Sequence, residues 1–283
     1  MKEYLLSSEL IYHVASRDDM VNYICEGMKA MKRIGFDAVD FNTALLAGLG
    51  DRPEQALEQI KGYMEELNLP FRLCHLPFVP QKMGLPTKEF NQSVYTAIDA
   101  AKQLGVDHAV MHPNSATLPL EGYDPQEEYD KVTAYLAPFV EYAHKKGVSI
   151  VLENMRTVRK DYPAHRYCAN PEELCKVADV LGMGICWDTG HAHITGLKQS
   201  DALRYIGNRL KMVHLNDNLA DDDLHLAPFF GTADWKDIMQ GLSAIGFEGI
   251  LNFELSTGRI PASAREAFGK YVCQAAKELE TYM

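Results

Sequence analysis

The sequence predicts a (β/α)₈ barrel that forms one domain over residues 1–283. Eight short apolar runs alternate with eight longer amphipathic stretches, the pattern of βα units around a parallel sheet. No Pro/Ser-rich linker, low-complexity run or shift of composition interrupts that alternation, so a second domain has nowhere to begin. A doubly wound open sheet would carry a glycine-rich phosphate loop after its first strand, and neither G-x-G-x-x-G nor G-x-x-x-x-G-K-[ST] stands there.

Tyr4–Ser8 reads as the first strand and Asp18–Ile34 as the first helix, stopped by Gly35. The second unit pairs Ala38–Phe41 with Pro53–Leu67, and the third pairs Phe71–His75 with Thr87–Leu104, stopped by Gly105. Ala109–His112 with Pro125–Lys146, stopped by Gly147, makes the fourth; Ser149–Glu153 with Pro171–Leu181 makes the fifth. Met183–Asp188 with Gln199–Arg209, Met212–Leu215 with Trp235–Ile245, stopped by Gly246, and Ile250–Glu254 with Ala262–Tyr282 complete the circuit. Glycine just past a helix supplies the left-handed turn that ends it. Proline at a first turn (Pro53, Pro125, Pro171) lacks only an N–H that would have no helical partner. Gly182 and Gly184 form a bare G-x-G before a strand, a context that carries no weight.

The net charge of −11 disfavours nucleic acid or an anionic membrane as a partner. Cys25, Cys74, Cys168, Cys175, Cys186 and Cys273 include no C-x-x-C pair and read as buried, reduced thiols. The first residues lack a signal-peptide pattern, and no apolar run reaches the roughly 18 residues of a membrane span. A soluble cytoplasmic protein is expected, with association through exposed helices left open.

The chemistry gathers at the predicted strand ends. His75, His112, Glu153, Asp188, His214 and Glu254 close six strands in succession, 26 to 41 residues apart. Strand C-termini converge on one mouth of a barrel, so these residues meet in space. The two-residue period turns Glu153, Val151 and Ser149 one way, and groups Glu254 with Asn252 and Ile250. His214 opposes Val213, and Trp187 points outward to the core. Inward carboxylates are costly without a cation or a donor. Two glutamates, an aspartate and several histidines on one site therefore point to a shared metal.

At these residues the chain resembles the xylose-isomerase-like barrel superfamily, and within it the sugar phosphate isomerase/epimerase group. The matching segments are Cys74-His75-Leu-Pro-Phe78, Val-Met-His112-Pro, Val-Leu-Glu153-Asn154, Cys-Trp-Asp188-Thr-Gly-His191-Ala-His193, Val-His214-Leu-Asn-Asp217-Asn and Phe-Glu254-Leu. Asp223-Leu-His225 through Asp234-Trp235 continues the likeness. The resemblance implies a divalent cation held by Glu153, Asp188, His214 and Glu254. Three carboxylates and one imidazole suit Mn²⁺, Mg²⁺ or Co²⁺, with Zn²⁺ also compatible. It further implies a small sugar or sugar phosphate as substrate. Glu153 and Glu254 would act as the catalytic acid/base pair, removing a proton beside a carbonyl and returning it through an enediolate.

A second tier serves as substrate donors or additional metal ligands: His75, His112, His191, Asp223 and His225. Arg156, and more weakly Lys160, is a candidate for binding a phosphate or carboxylate, with a surface ion pair as the alternative. Asp40 binds a sugar hydroxyl or orients a neighbour. Phe78 and Phe230 are candidate walls, His193 reads as a loop residue, and Asp221–Asp223 as a solvated loop or a metal ligand. Type IV apurinic endonucleases share this barrel, and their three-zinc pattern matches His75, His112, Glu153, Asp188, His191, His214, Asp223, His225 and Glu254. Against that reading, Asn42–Asp51 contains no Arg or Lys for a DNA backbone. A non-catalytic sugar-binding barrel would lose the acid/base pair, and both glutamates are present.

Overall fold

The computed structural model describes residues 3–7, 19–50, 52–78, 86–157, 164–258 and 260–283. Ser8, Asp18, Asp51 and Lys160 lie outside them, and so do the ends of the first predicted strand and helix that they mark. Ten strands are present among the described residues: β1 (Tyr4–Ser7), β2 (Ala38–Asn42), β3 (Phe71–His75), β4 (His108–Met111), β5 (Thr117–Pro119), β6 (Ser149–Glu153), β7 (Ala164–Arg166), β8 (Gly184–Asp188), β9 (Leu210–Leu215) and β10 (Leu251–Phe253). Eight of them close a parallel barrel in the order β1-β10-β9-β8-β6-β4-β3-β2. That is the predicted architecture.

The helices are α1 (Met20–Ile34), α2 (Pro53–Leu67), α3 (Lys88–Leu104), α4 (Pro125–Lys146), α5 (Pro171–Leu181), α6 (Thr189–Thr195), α7 (Gln199–Ile206), α8 (Trp235–Ala244) and α9 (Ala262–Glu280). Gly105 and Gly147 stop α3 and α4 with φ of 73° and 71°, conformations that cost a side-chain-bearing residue strain. Pro53, Pro125 and Pro171 open α2, α4 and α5.

Four features depart from the sequence expectation, the first being that Thr43–Gly48, expected in a loop, is a 3₁₀ helix. β5 and β7 pair antiparallel as a ribbon apart from the barrel sheet, with Thr117 opposite Arg166. Thr189–Thr195 is a short helix rather than a loop, so His193 is helical. The helix predicted over Gln199–Arg209 stops at Ile206, and Gly207–Arg209 continues as a single 3₁₀ turn.

Side-chain alternation sorts the barrel strands as predicted. Ala38, Leu73, Val110, Val151, Cys186, Met212 and Ile250 form their own cluster inside the barrel. Val213, Leu215, Leu251, Phe253 and Trp187 join the larger core between strands and helices. Trp187 is fully buried there, its Nε1 donating to Gln199 Oε1 at 3.0 Å. The inner cluster floors the mouth, so residues one step beyond it on the same face stand at the top. No described helix is long and apolar enough to cross a membrane.

Candidate active site

Glu153 and Asp188 end β6 and β8, His214 lies near the end of β9, and Glu254 follows β10. Asp188 also caps α6: its Oδ1 accepts from the His191 backbone N–H at 2.6 Å, and its Oδ2 accepts from Asn216 Nδ2 at 2.7 Å. Asn154 locks β6 to β8 through its side-chain amide, donating to Asp188 O at 3.0 Å and accepting from Asp188 N at 2.6 Å. Gly190 is required beside this lock, because a Cβ there would run into Asn216 Oδ1. Sequence reasoning passed over both asparagines, whose Asn-after-Glu153 and Asn-after-Leu215 positions are the only local signal.

One ligand-capable atom from each of Glu153, Asp188, His214 and Glu254 lies within 4.8 Å of the others. His214 Nδ1 sits 3.4 Å from Glu153 Oε1 and 3.0 Å from Glu254 Oε2, so the two glutamates share one imidazole nitrogen. His75 Nε2 and His112 Nε2 approach Glu153 Oε2 at 3.4 and 3.2 Å. Most of these approaches lack hydrogen-bond alignment. Among the described residues, Glu153 Oε2 and both ring nitrogens of His214 are buried without an aligned partner. Such groups are rarely left unsatisfied in a folded protein. Three carboxylates and an imidazole, each with an atom within 4.8 Å of the others, fit a divalent cation.

Burial alone would raise the Glu153 carboxyl, but the imidazoles of His214 and His112 hold it well below the usual carboxylate range. Burial likewise opposes the charged form of His214, yet the carboxylates of Glu254 and Glu153 push it well up. Against burial, His214 keeps Glu254 at about 2. Burial pushes the Cys186 thiol, just beneath Glu153 and His214, up to about 12, so it stays protonated.

The second tier converges on the same mouth. His191 Nδ1 contacts Asn154 O at 2.8 Å, and its Nε2 lies 3.3 Å from Asp223 Oδ2. His225 Nε2 lies 3.4 Å from Asp223 Oδ1, and its Nδ1 is 3.1 Å from Glu254 O. Asp223 is therefore held between two imidazoles and is not a freely solvated residue. Arg156 Nε donates to Asp223 Oδ2 at 3.2 Å. Asp40 is buried, its Oδ2 accepting from Asn252 Nδ2 at 2.8 Å while its Oδ1 has no partner among the described residues. Phe78 stacks on His112 with centroids 4.5 Å apart.

A cavity of ≈ 490 Å³ opens above, lined by Asp40, His75, Phe78, Asp223, His225 and Glu254 among others. That volume suits a small ligand. Glu153, only 1% exposed, lies beneath it. Phe230 is corrected: it packs against Tyr271 of α9, with centroids 5.0 Å apart, and does not line the cavity. His193 meets Thr232 Oγ1 at 2.9 Å and lies outside the converging groups.

Asp217, quoted in the sequence motif without a role, organises the segment that delivers Asp223 and His225. Its buried carboxylate accepts from the backbone of Asn218, Phe229 and Ala233 and from Trp235 Nε1, at 2.9 to 3.1 Å. Asp217→Ala leaves those donors unpaired and is expected to cost about 3 kcal/mol, read as a lower denaturation midpoint. An unchanged midpoint would remove this role.

The family model for xylose isomerase-like TIM barrels matches residues 28–271, and the chain belongs to that family. An uncharacterized protein of Methanocaldococcus jannaschii is 28% identical over 216 residues, spanning 71% of this chain and 69% of its own length. A probable endonuclease 4 of Mycoplasmoides gallisepticum is 26% identical over 216 residues, spanning 70% of this chain and 65% of its own. A D-allulose 3-epimerase from Methylomonas sp., solved in complex with D-allulose, superposes with a TM-score of 0.74 at 16% identity, covering 98% of this chain and 96% of that one. That last likeness is one of fold.

Proposed function

We propose that this chain is a cytoplasmic, divalent-metal-dependent epimerase or isomerase of ketoses or related keto-polyols. The observation that carries this reading is the convergence of Glu153, Asp188, His214 and Glu254 on one point, with unsatisfied atoms, under a cavity of sugar-binding size. These four residues would hold the cation. When bound, Mn²⁺, Mg²⁺, Co²⁺ or Zn²⁺ supplies the Lewis acidity that polarises a substrate carbonyl. Glu254 lines the cavity and removes the proton from the carbon beside that carbonyl. Glu153, across His214 Nδ1, would take up a solvent-derived proton and pass it to the resulting enediolate, while Glu254 gives its proton up to solvent. Return to the same carbon from the opposite face inverts it, and return to the neighbouring carbon moves the carbonyl. The orphaned Asp40 Oδ1 accepts from a sugar hydroxyl, His75, His112 and His191 orient others, and Phe78 covers a sugar face.

The test is a screen of ketoses, ketose phosphates and keto-inositols in D₂O with Mn²⁺, read by NMR. Deuterium at one carbon identifies substrate and position together. No exchange on any of them by metal-loaded protein would sink the assignment.

A second reading, a zinc-dependent phosphodiesterase of the apurinic endonuclease kind, is favoured by one observation. The same nine residues named for that pattern gather into three neighbouring groups: His75/His112/Glu153, Glu153/Asp188/His214/Glu254 and His191/Asp223/His225. Against it, Asn42, Thr43 and Ala44 line the cavity, and residues 42–50 offer no cation. Asp223 already has Arg156 as its cationic partner, which disfavours another dication there.

A further inference from the structure

The barrel interior is layered. Two residues beyond the inner cluster, on the same face of each strand, stand the groups of the mouth. Asp40 follows Ala38, Glu153 follows Val151, Asp188 follows Cys186, His214 follows Met212 and Asn252 follows Ile250. In the closed strand order β2 lies four strands from β8 in either direction, so Asp40 stands across the barrel from Asp188. Glu153, Asp188 and His214 occupy one side of this ring, and Asp40 belongs to the other.

That far side is built to accept hydrogen bonds. Asn252 is fully buried, and its Nδ2 donates to Asp40 Oδ2 at 2.8 Å. Turning the amide over would set two acceptors against each other, so this bond fixes its orientation. Asp40 Oδ1 and Asn252 Oδ1 are then both buried with no donor among the described residues. Buried acceptors are seldom left so, because an unmade hydrogen bond costs the desolvation of the group. Burial pushes the Asp40 carboxyl up, and a donor at Oδ1 would hold it charged. Asp40 also lines the cavity, where a ligand can reach it. Asp223 and Glu254 line the same cavity, and among the described residues no Lys or Arg does.

We propose that Asp40, oriented by Asn252, determines specificity at the end of the substrate remote from the cation, accepting from a free hydroxyl and rejecting a phosphate ester. The inference rests on the ketose reading for the identity of the reacting end. A ketose held at Glu153, Asp188 and His214 by its carbonyl end extends its polyol tail toward Asp40. A hydroxyl brings a proton for Oδ1, whereas a phosphate dianion brings none and sets negative charge against a carboxylate. A site built around a hydrogen bond discriminates strongly against an analogue that cannot make it.

Sorbitol and sorbitol phosphate, which have no carbonyl to enolise, are titrated calorimetrically into Mn²⁺-loaded wild-type protein, Asp40→Asn and Asp40→Ser. Deuterium exchange in the same proteins then compares free ketoses with their phosphate esters and deoxy analogues at the carbon farthest from the carbonyl. Wild type is expected to bind sorbitol at least about tenfold more tightly than its phosphate, and kcat/KM to favour free ketoses over both analogues by at least about tenfold. Asp40→Asn can present a donor where the acceptor stood, so both preferences are expected to shrink to within about threefold, through KM more than kcat. Mn²⁺ affinity is expected to stay within about twofold, where a residue supporting the ligands would cost about tenfold or more. Thermal melts check folding, and Asp40→Ser carries the comparison if Asp40→Asn unfolds. Equal binding of the two polyols by wild type, or a preference that the variants leave intact, would overturn the subsite; exchange on a ketose would still keep the epimerase reading. A tenfold fall in Mn²⁺ affinity would likewise overturn it and make Asp40 a support of the cation site. Asp40-dependent polyol binding without exchange on any ketose would keep the subsite and remove the epimerase.

Discussion

Glu254→Gln is expected to lower deuterium exchange by at least about 10²-fold, and Glu153→Gln by as much or more. Glutamine keeps the shape of the side chain but cannot accept the proton, and it gives up one negative charge beside His214. The two positions differ in what else they lose. Glu254 opens on the cavity, and its carboxylate lies 3.0 Å from His214 Nδ1 and 3.8 Å from His225 Nδ1. Glu153 is fully enclosed and has His75, His112, His191 and His214 within 3.5 Å. An uncharged amide there faces four imidazoles, so loss of metal is expected to accompany loss of proton transfer. Metal content per chain, measured beside the exchange rate, separates the two effects. A variant that retains both metal and full exchange would take its glutamate out of the chemistry.

The strand-end residues were legible because a barrel repeats. Spacings of roughly one βα unit place Glu153, Asp188, His214 and Glu254 at equivalent positions, and the two-residue period says which way each faces. The inner cluster containing Val151, Met212 and Ile250 agrees with that period residue by residue. The ribbon was not legible. Thr117–Pro119 and Ala164–Arg166 are three residues each, too short for periodicity, and they pair across a long sequence separation. The α6 helix was hidden for another reason: Thr-Gly-His-Ala-His-Ile-Thr has weak helix propensity, and its start is set by Asp188, read only as a ligand. The role of Asp217 was unreadable because its donors come from four residues spread over the following loop and helix. Arg156 was read as an anion binder or an ion pair. It makes the ion pair, with Asp223.

The protein is expected to work with one divalent cation per chain and to leave an abasic-site duplex uncut. Every ligand type of the three-zinc pattern is present and converges, so ligand identity cannot decide; the surrounding charge does. Three dications would place six positive charges in one mouth, which suits a bound phosphodiester. Here a guanidinium already stands at one flanking group: Arg156 pairs with Asp223 at 3.2 Å and repels a further cation at His191/Asp223/His225. Enolisation needs only one cation, which leaves His75, His112 and His191 to hold hydroxyls. The segment lining the cavity at Asn42–Ala44 adds no cation for a DNA backbone, so duplex affinity would lack its usual salt-dependent contribution. Metal analysis of protein purified without added zinc, beside an incision assay on an abasic duplex, decides between the readings. About one equivalent of metal and an intact duplex is the expected result. Three tightly held metals with efficient strand incision would transfer the chain from sugar chemistry to DNA repair.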